Sequence, residues 1–341
     1  MTPASPRVSV LTLTHNHAPY LRQCVDSLRD QTVSDWEQII VDDGSTDGTP
    51  GVAASLKDPR VRYFRRERLG VLRLAENYNF ALAQARAPLV AIVEVDDYWD
   101  PHLLETQLPA FDDPEVVLAF AEINAVVDGK ARDAAHPIRR WPRQAQSNTP
   151  VGCALAPILS FQGMPQPMTW VLRRSALEAV GGFQSAPGIP TTDYPTLLRL
   201  CLQGRFAYAD KILAYWRKHP AQTTNQRAGA LFVGCADLAA DFYEREVPAE
   251  IKARLGLSAA ELLRRIQSQR AFGHFRQGRS DLINGRWPAA RESFRKAWRG
   301  GSGYVRAASL AGWGASWLST DLEPFARLLG KEWYRPGPRP S

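Results

Sequence analysis

Residues 39–49 read Ile39-Ile40-Val41-Asp42-Asp43-Gly44-Ser45-Thr46-Asp47-Gly48-Thr49, an apolar run of strand length that stops at two carboxylates and a glycine turn. Towards the amino terminus, Val8–Leu13 is a second apolar run fit for a buried strand. Between the two, Leu21, Cys24, Val25 and Leu28 repeat at the i, i+3, i+4, i+7 spacing of one helical face, and Pro19 suits a first turn. Towards the carboxyl terminus come a strand at Val61–Phe64, a helix with its face at Leu72, Ala75, Asn79 and Leu82, and a fourth strand at Leu89–Val95. Asp100-Pro101 reads as an N-cap followed by a first helical residue. Such strand–helix alternation predicts an α/β, Rossmann-like, mostly parallel central sheet flanked by helices. Ligands of these sheets sit at the carboxyl ends of the strands. Asp42-Asp43 falls at one such end and Glu94-Val95-Asp96-Asp97 at another. Strand alternation puts Glu94 and Asp96 on one face and leaves Asp97 to turn towards the ligand as the strand ends.

Beyond residue 110 the pattern changes. Val116–Ala121 and Ile123–Val127 read as two further strands, with Asp128-Gly129 as a turn. Residues 136–167 hold six prolines and predict a long irregular loop, of a length that in a compact domain is more often functional than idle. Thr169–Leu172 returns to strand, Ser175–Val180 to a helix stopped by Gly181-Gly182, Tyr194–Leu202 to a helix, and Ile212–Trp216 to a last strand. From residue 226 only helical periodicity remains. The expected organisation is a domain over 1–225, with halves at 1–97 and 98–225, then a carboxyl-terminal helical region over 226–341.

Composition limits the function classes. With 341 residues, 45% hydrophobic and 23% charged, the chain is globular rather than disordered. Cys24, Cys153, Cys201 and Cys235 lie far apart, without zinc spacing, and read as free thiols of a reducing compartment. No leader and no run of about 20 apolar residues appears, which points to the cytoplasm. No GxGxxG turn follows the first strand, which continues as Thr14-His15-Asn16-His17, and no glycine–lysine phosphate loop is present. A nicotinamide dehydrogenase or an ATPase is therefore a poor reading. The net charge of +7 is uneven: 18 Lys/Arg against 8 Asp/Glu from Arg245 onward gives +10, and the remainder, 24 against 27, gives −3. A basic tail suits an anionic surface. No RNA- or DNA-binding module is visible, so nucleic acid is not an expected partner.

Paired acidic turns at strand ends suit a nucleotide-sugar, whose diphosphate leaves with negative charge that a hard divalent cation neutralises. Either turn alone is common at protein surfaces. Together, and with Val8–Asn16, Gly70–Asn77 and Val93–Trp99 in this order, the chain resembles the inverting glycosyltransferases of family 2, which have the GT-A fold. The resemblance covers roughly residues 7–220. It implies that Thr12, Asn16, Asp42 and Asp43 hold the nucleotide. It also implies that Asp96 and Asp97 hold Mn²⁺ or Mg²⁺ and the donor phosphates, with Glu94 either a bystander or a support to these ligands. Where relatives carry Arg-Asn this chain has Glu76-Asn77, so Arg73 becomes the candidate cation near the phosphates. Tyr215-Trp216-Arg217-Lys218-His219 resembles a late Tyr-Arg-x-His element, making His219 a candidate metal ligand or pyrophosphate contact and Arg217 or Lys218 a phosphate partner. Inversion needs a base on the acceptor hydroxyl, and the family's acidic motif at a helix start matches Thr191-Thr192-Asp193-Tyr194, hence Asp193. An aspartate there also suits a plain N-cap.

The resemblance implies a UDP- or dTDP-sugar donor and a glycan or lipid-linked acceptor, in bacterial polysaccharide assembly. The rival reading is a catalytically silent GT-A-like module that recruits partners through its tail. Arg270–Trp298 resembles one tetratricopeptide-like helix pair, too little for a repeat array. Tyr304, Trp313, Trp317, Trp333 and Tyr334 among Arg306, Arg327, Lys331 and Arg335 suggest peripheral contact with the inner face of a membrane.

Overall fold

The structure, a computed structural model, describes residues 5–127, 129–219, 222–223, 227–320 and 322. The chain divides into two compact units. The first comprises the residues up to Ile158, Gln162–Ser185 and Thr191–Lys218; the second comprises Leu159–Phe161, Ala186–Pro190 and the residues from His219 onward.

In the first unit the strands are β1 Val8–Thr14, β2 Trp36–Asp42, β3 Val61–Arg65, β4 Leu89–Ile92, β5 Tyr98–Trp99, β6 Val116–Val127, β7 Lys130–Asp133, β8 Val171–Arg173 and β9 Arg205–Arg217. The helices are α1 Ala18–Arg29, α2 Thr49–Ala54, α3 Leu74–Gln84, α4 Leu103–Gln107, α5 Arg143–Gln146, α6 Leu155–Leu159, α7 Arg174–Ala179 and α8 Asp193–Leu200. The sheet runs β3-β2-β1-β4-β8-β6-β9-β5, with β7 on β6. From β3 to β4 every pairing is parallel, and beyond β4 the sheet is mixed, because β8 lies antiparallel to both β4 and β6. The chain leaves β1 towards β2 on one side and returns to β4 on the other. The carboxyl end of β1 is therefore the topological switch point at which such sheets bind ligands.

Burial explains the apolar runs. All seven residues of β2 are buried, as a parallel strand covered on both faces requires. On one side Val8, Val10 and Trp36 pack with Cys24 and Leu28 of α1; Ile40 packs with Leu21 and Val25.

Several elements depart from the sequence reading. β6 is one strand, not two, because the buried Glu122 at the expected break is held by His136 Nδ1 (3.0 Å) and the Tyr208 hydroxyl (2.5 Å). β9 starts at Arg205, seven residues before expected: the consecutive β6 residues Ala121 and Glu122 pair with Ala209 and Ile212, so Asp210-Lys211 is a bulge just before the expected start. β4 ends at Ile92, and Glu94–Asp97 is a turn closed by Asp97 N–H on Glu94 O (3.0 Å), so strand alternation does not orient these carboxylates. Asp100 precedes α4, which starts at Leu103, and its carboxylate accepts from His102 N–H (3.0 Å). The proline-rich stretch holds α5, α6 and two short 3₁₀ turns. Asn148 ties it down, its amide donating to Cys201 O (2.8 Å) and Gly204 O (2.7 Å).

Gly182 stops the region after α7 at φ 78°. A methyl group there would overlap the Asn79 amide, which is fixed on Phe183 N–H (2.8 Å) and Phe183 O (2.9 Å). Gly182→Ala combines that overlap with an unfavourable positive φ. It is expected to lower unfolding stability by about 1–3 kcal/mol, read as a shifted urea midpoint at constant m-value.

The second unit is helical: α9 Ala228–Arg245, α10 Ala249–Arg254, α11 Ala259–Ile283, α12 Trp287–Gly300 and α13 Gly303–Trp317. Ser258 caps α11, its hydroxyl accepting from Glu261 N–H (3.1 Å). Phe275, Leu282, Ala290, Phe294, Ala297, Val305 and Ala315 form its core. Gly278 and Gly312 let the helices close on the Phe294 ring, where a Cβ would not fit. None of the four cysteines is in a disulfide. No helix among the described residues is long and apolar enough to cross a membrane.

Candidate active site

At the carboxyl end of β2 the two aspartates behave differently. Asp42 is fully buried. Its Oδ1 accepts from Ser45 N–H (2.8 Å) and Ser45 Oγ (2.6 Å), and its Oδ2 accepts from the Tyr63 hydroxyl. It shapes the turn and holds it on β3. Asp43 reaches across the site: Oδ1 accepts from Leu69 N–H (2.7 Å) and the Asn77 amide (2.9 Å), Oδ2 from Gly70 N–H (2.9 Å). Burial opposes its ionisation, yet these donors, with the charge of His15, hold its carboxyl below the usual carboxylate range. The link therefore supports folding above that range and fades as pH falls through it. Gly44, at φ 69°, lies against the Arg68 backbone, so no side chain fits there.

Asn16 bridges the β1 and β2 ends. At φ 58° its N–H donates to Ser45 Oγ (2.9 Å), and its Oδ1 accepts from Thr46 N–H (2.8 Å). Thr12 is not at the surface of the site. It is fully buried, and its hydroxyl accepts from Gln38 Nε2 (2.9 Å), so it supports β1 from inside. Arg73 is exposed and spends its guanidinium on Glu76 through two bonds of 2.5 Å.

The turn after β4 carries three carboxyl groups, those of Glu94, Asp96 and Asp97. Asp97 is almost wholly buried, and its Oδ1 accepts from the Arg217 N–H (2.8 Å). The Arg217 guanidinium donates to Asp96 O and to Gln23 Oε1 (2.5 Å), between the rings of Tyr20 (4.9 Å) and Tyr98 (5.3 Å). Tyr98 in turn stacks on Tyr215 across the β5–β9 pairing, centroids 4.9 Å apart. Arg217, rather than Arg73, is thus the cation fixed beside the acidic turn. Tyr20 and Gln23, one turn apart on α1, were not singled out from the sequence; their spacing next to a buried face was the available signal.

Asp193 opens α8. Its Oδ1 accepts from Tyr194 N–H (2.7 Å) and the Thr191 hydroxyl, while among the described residues no donor reaches Oδ2. The helix N-cap is Thr192, so Asp193 does not hold that position. Asp193 is close enough to act on Glu94, whose carboxyl is pushed up to about 8 by burial, then by the charges of Asp96 and Asp193. Burial, Asp96 and Glu94 raise Asp97 well above its usual range, against the opposing Arg217. Tyr78 of α3, missed in the sequence reading, is buried beside all four carboxylates, and burial and their charges push its phenol up.

The structure thus gathers Glu94, Asp96, Asp97, Asp193, Tyr78 and Arg217 at one place. The donor set fits a hard divalent cation: carboxylate oxygens only, in mutual repulsion, with Glu94 Oε2 buried and unpartnered among the described residues. Among the described residues no three of His, Cys, Asp or Glu are arranged to hold a metal. Asp96, Asp97 and His219 therefore do not form a ready three-ligand shell. His219 belongs to the second unit, where it is buried and its N–H donates to Gln222 Oε1 (3.3 Å).

A family model described as "Glycosyl transferase family 2" matches residues 9–179. The chain is 35% identical over 162 residues to a Bacillus subtilis protein named as a teichuronic acid biosynthesis glycosyltransferase, TuaG, covering 45% of this chain and 62% of that one. Other curated relatives are matched over 37% and 68% of their own length. Among solved structures, S. aureus TarS (residues 1–349) in complex with UDP-GlcNAc superposes with a TM-score of 0.55 at 17% identity, over 96% of this chain and 93% of that one. The mannosyltransferase PcManGT from Pyrobaculum calidifontis, in complex with GDP-Man and Mn²⁺, superposes with a TM-score of 0.52 at 20% identity, over 96% and 85%. At these identities the likeness is one of fold, the GT-A fold.

Proposed function

The chain belongs to glycosyl transferase family 2, and from that premise we propose that it moves a sugar from a nucleotide-sugar, of the UDP or dTDP class, to a hydroxyl of a glycan or lipid-linked acceptor with inversion. The observation that carries this reading is the meeting of Asp193 with the Glu94–Asp97 turn and Arg217 at the switch point of the sheet.

Asp193 acts as base. Its Oδ1 is pinned, and no donor among the described residues reaches Oδ2, which leaves that oxygen for the acceptor hydroxyl. Oδ2 takes the hydroxyl proton while the acceptor oxygen attacks the anomeric carbon, and the bond from that carbon to the diphosphate breaks with its electron pair going to the diphosphate. Arg217, immobilised by Tyr20, Tyr98 and Gln23, faces the charge that develops there without having to reorganise. Asp96 and Asp97 would hold Mn²⁺ or Mg²⁺, which when bound supplies charge neutralisation on the diphosphate; two carboxylates suffice because the phosphates complete the shell. The Mn²⁺ in complex with PcManGT supports this reading. Asp43, with Leu69 and Gly70 fixed on it, forms the wall for the nucleotide, and Asn16 and Asp42 act through that wall rather than by direct contact. A silent binding module has no need of a pinned carboxylate with an available oxygen at Asp193. We place the enzyme in the cytoplasm at the inner face of the membrane, in polymer assembly of the kind that TuaG's name describes.

Thermal unfolding with UDP, dTDP or GDP, each with and without Mn²⁺, tests the donor half. One nucleotide should raise the midpoint by several degrees, and only when the metal is present. If no nucleotide shifts it, the reading fails; if one does but the sugar donor is neither transferred nor hydrolysed, the silent module is correct.

A further inference from the structure

Helix α13 carries one charged residue, Arg306, in 15, and an apolar helix is normally covered on every side, by core or by lipid. Its inner face is covered: Val305, Ser309, Gly312 and Ala315 are buried against the unit's core. Its outer face is not covered by any of the described residues. Leu310 is 55% exposed, Trp313 42%, Trp317 61% and the following Leu318 78%. Arg306, Leu310, Trp313 and Trp317 follow one another at helical spacing, so they form one stripe along the helix. The neighbouring α12 adds Trp298, 47% exposed, and a basic border: Arg291, Arg295, Lys296 and Arg299 against Glu292 alone. Arg291 lies over the Trp317 ring at 4.2 Å and donates to Ser316 O (3.1 Å), which sets a guanidinium at the edge of the aromatic stripe.

We propose that the α12–α13 hairpin is the surface by which this chain binds an anionic lipid bilayer, with Leu310, Trp313 and Trp317 in the headgroup–acyl boundary and Arg291 and Arg306 on lipid phosphates. The charge decides among occupants. A stripe of tryptophan and leucine edged by arginine matches both layers of such an interface at once, the apolar boundary and the negative headgroups. A second copy of the same face would set its arginines against their own kind. The proposal gives residues to the membrane-side placement proposed above, and concerns the second unit by itself. Trp333, Tyr334, Arg327, Lys331 and Arg335, grouped with this surface in the sequence, lie outside the described residues.

The test is co-sedimentation of the full chain with phosphatidylcholine vesicles, with and without phosphatidylglycerol. Three proteins are compared: wild type, the triple variant Leu310→Ser/Trp313→Ser/Trp317→Ser, and Arg291→Gln/Arg306→Gln. Wild type should bind the anionic vesicles and release in high salt. The triple variant should bind them at least about tenfold more weakly, and the double variant also about tenfold more weakly. Circular dichroism confirms that the variants fold, and donor hydrolysis in solution should match wild type. That separates this proposal from the glycosyltransferase reading, whose failure would remove hydrolysis from all three. Equal vesicle binding by wild type and triple variant, or no binding by wild type, overturns the proposal. So does a wild-type dimer that the triple variant converts to monomer with no vesicle binding in either; that result gives the face to a second copy.

Discussion

Asp193→Asn is expected to lower the turnover of sugar transfer by about 10²–10⁴-fold while leaving the nucleotide and metal dependence of thermal stability as in wild type. The substitution is chosen for what it preserves. Asparagine keeps an oxygen that can accept from Tyr194 N–H and the Thr191 hydroxyl, so the start of α8 keeps its anchoring bonds. What disappears is the proton acceptor at Oδ2, which no described residue occupies. A loss confined to turnover therefore reports proton removal and not a displaced helix. Retention of full transfer activity would take the base away from Asp193. Glu94 would then be the next carboxylate to test, since it is buried in the same cluster and responds to Asp193's charge. Parallel measurement of unfolding midpoints excludes the trivial outcome in which the variant is simply less stable.

The residues legible in the sequence were those whose role depends on near neighbours in the chain. Asp42 and Asp43 stood out because an apolar run ended on them, and the end of β2 is where they lie. The same holds for Asp96 and Asp97, although the strand before them is shorter than its apolar run suggested: β4 ends at Ile92, and the backbone then turns back on Glu94 O. Apolarity marks burial, not pairing, and Val93 and Val95 are both buried without belonging to the strand. What was illegible depends on distant partners. The Arg217 backbone meets Asp97 across 120 positions, through a pairing of β5 with β9 that no local pattern announces. Glu122 looked like a strand break because its two partners, His136 and Tyr208, are also remote in sequence. Thr12 was taken for a ligand contact from the family pattern, but alternation within β1 turns it towards Gln38. Asp43 illustrates a further limit: its position was readable, whereas its use as the anchor of Leu69, Gly70 and Asn77 was not.

Asp97→Asn should separate stability from activity in the opposite sense to most substitutions of buried residues. In the metal-free protein Asp97 and Glu94 both hold protons more tightly than exposed carboxyls do, because burial and the neighbouring carboxylates disfavour their charge. Groups with raised folded-state values contribute stability that is complete below the unfolded carboxylate range and is lost as pH rises through the folded values. Metal-free wild type should accordingly lose stability from the ordinary carboxylate range up to about 8, where Glu94 releases its proton. Asparagine at position 97 carries no charge and can still accept from the Arg217 N–H. The variant should therefore match or exceed the wild-type unfolding midpoint in EDTA, and lose less of it as pH rises above the ordinary carboxylate range. Its transfer turnover should fall by about 10³-fold, and Mn²⁺ should no longer add to the stabilisation given by nucleotide. A variant that stays within tenfold of wild-type turnover and still responds to Mn²⁺ would remove Asp97 from the metal site. A steeper loss of stability with pH than in wild type would show that the charge on Asp97 is compensated in the folded state. Both outcomes require the same two measurements, turnover and unfolding midpoint with and without metal, so the stability cost of the carboxylate cluster and its catalytic use are tested on one protein.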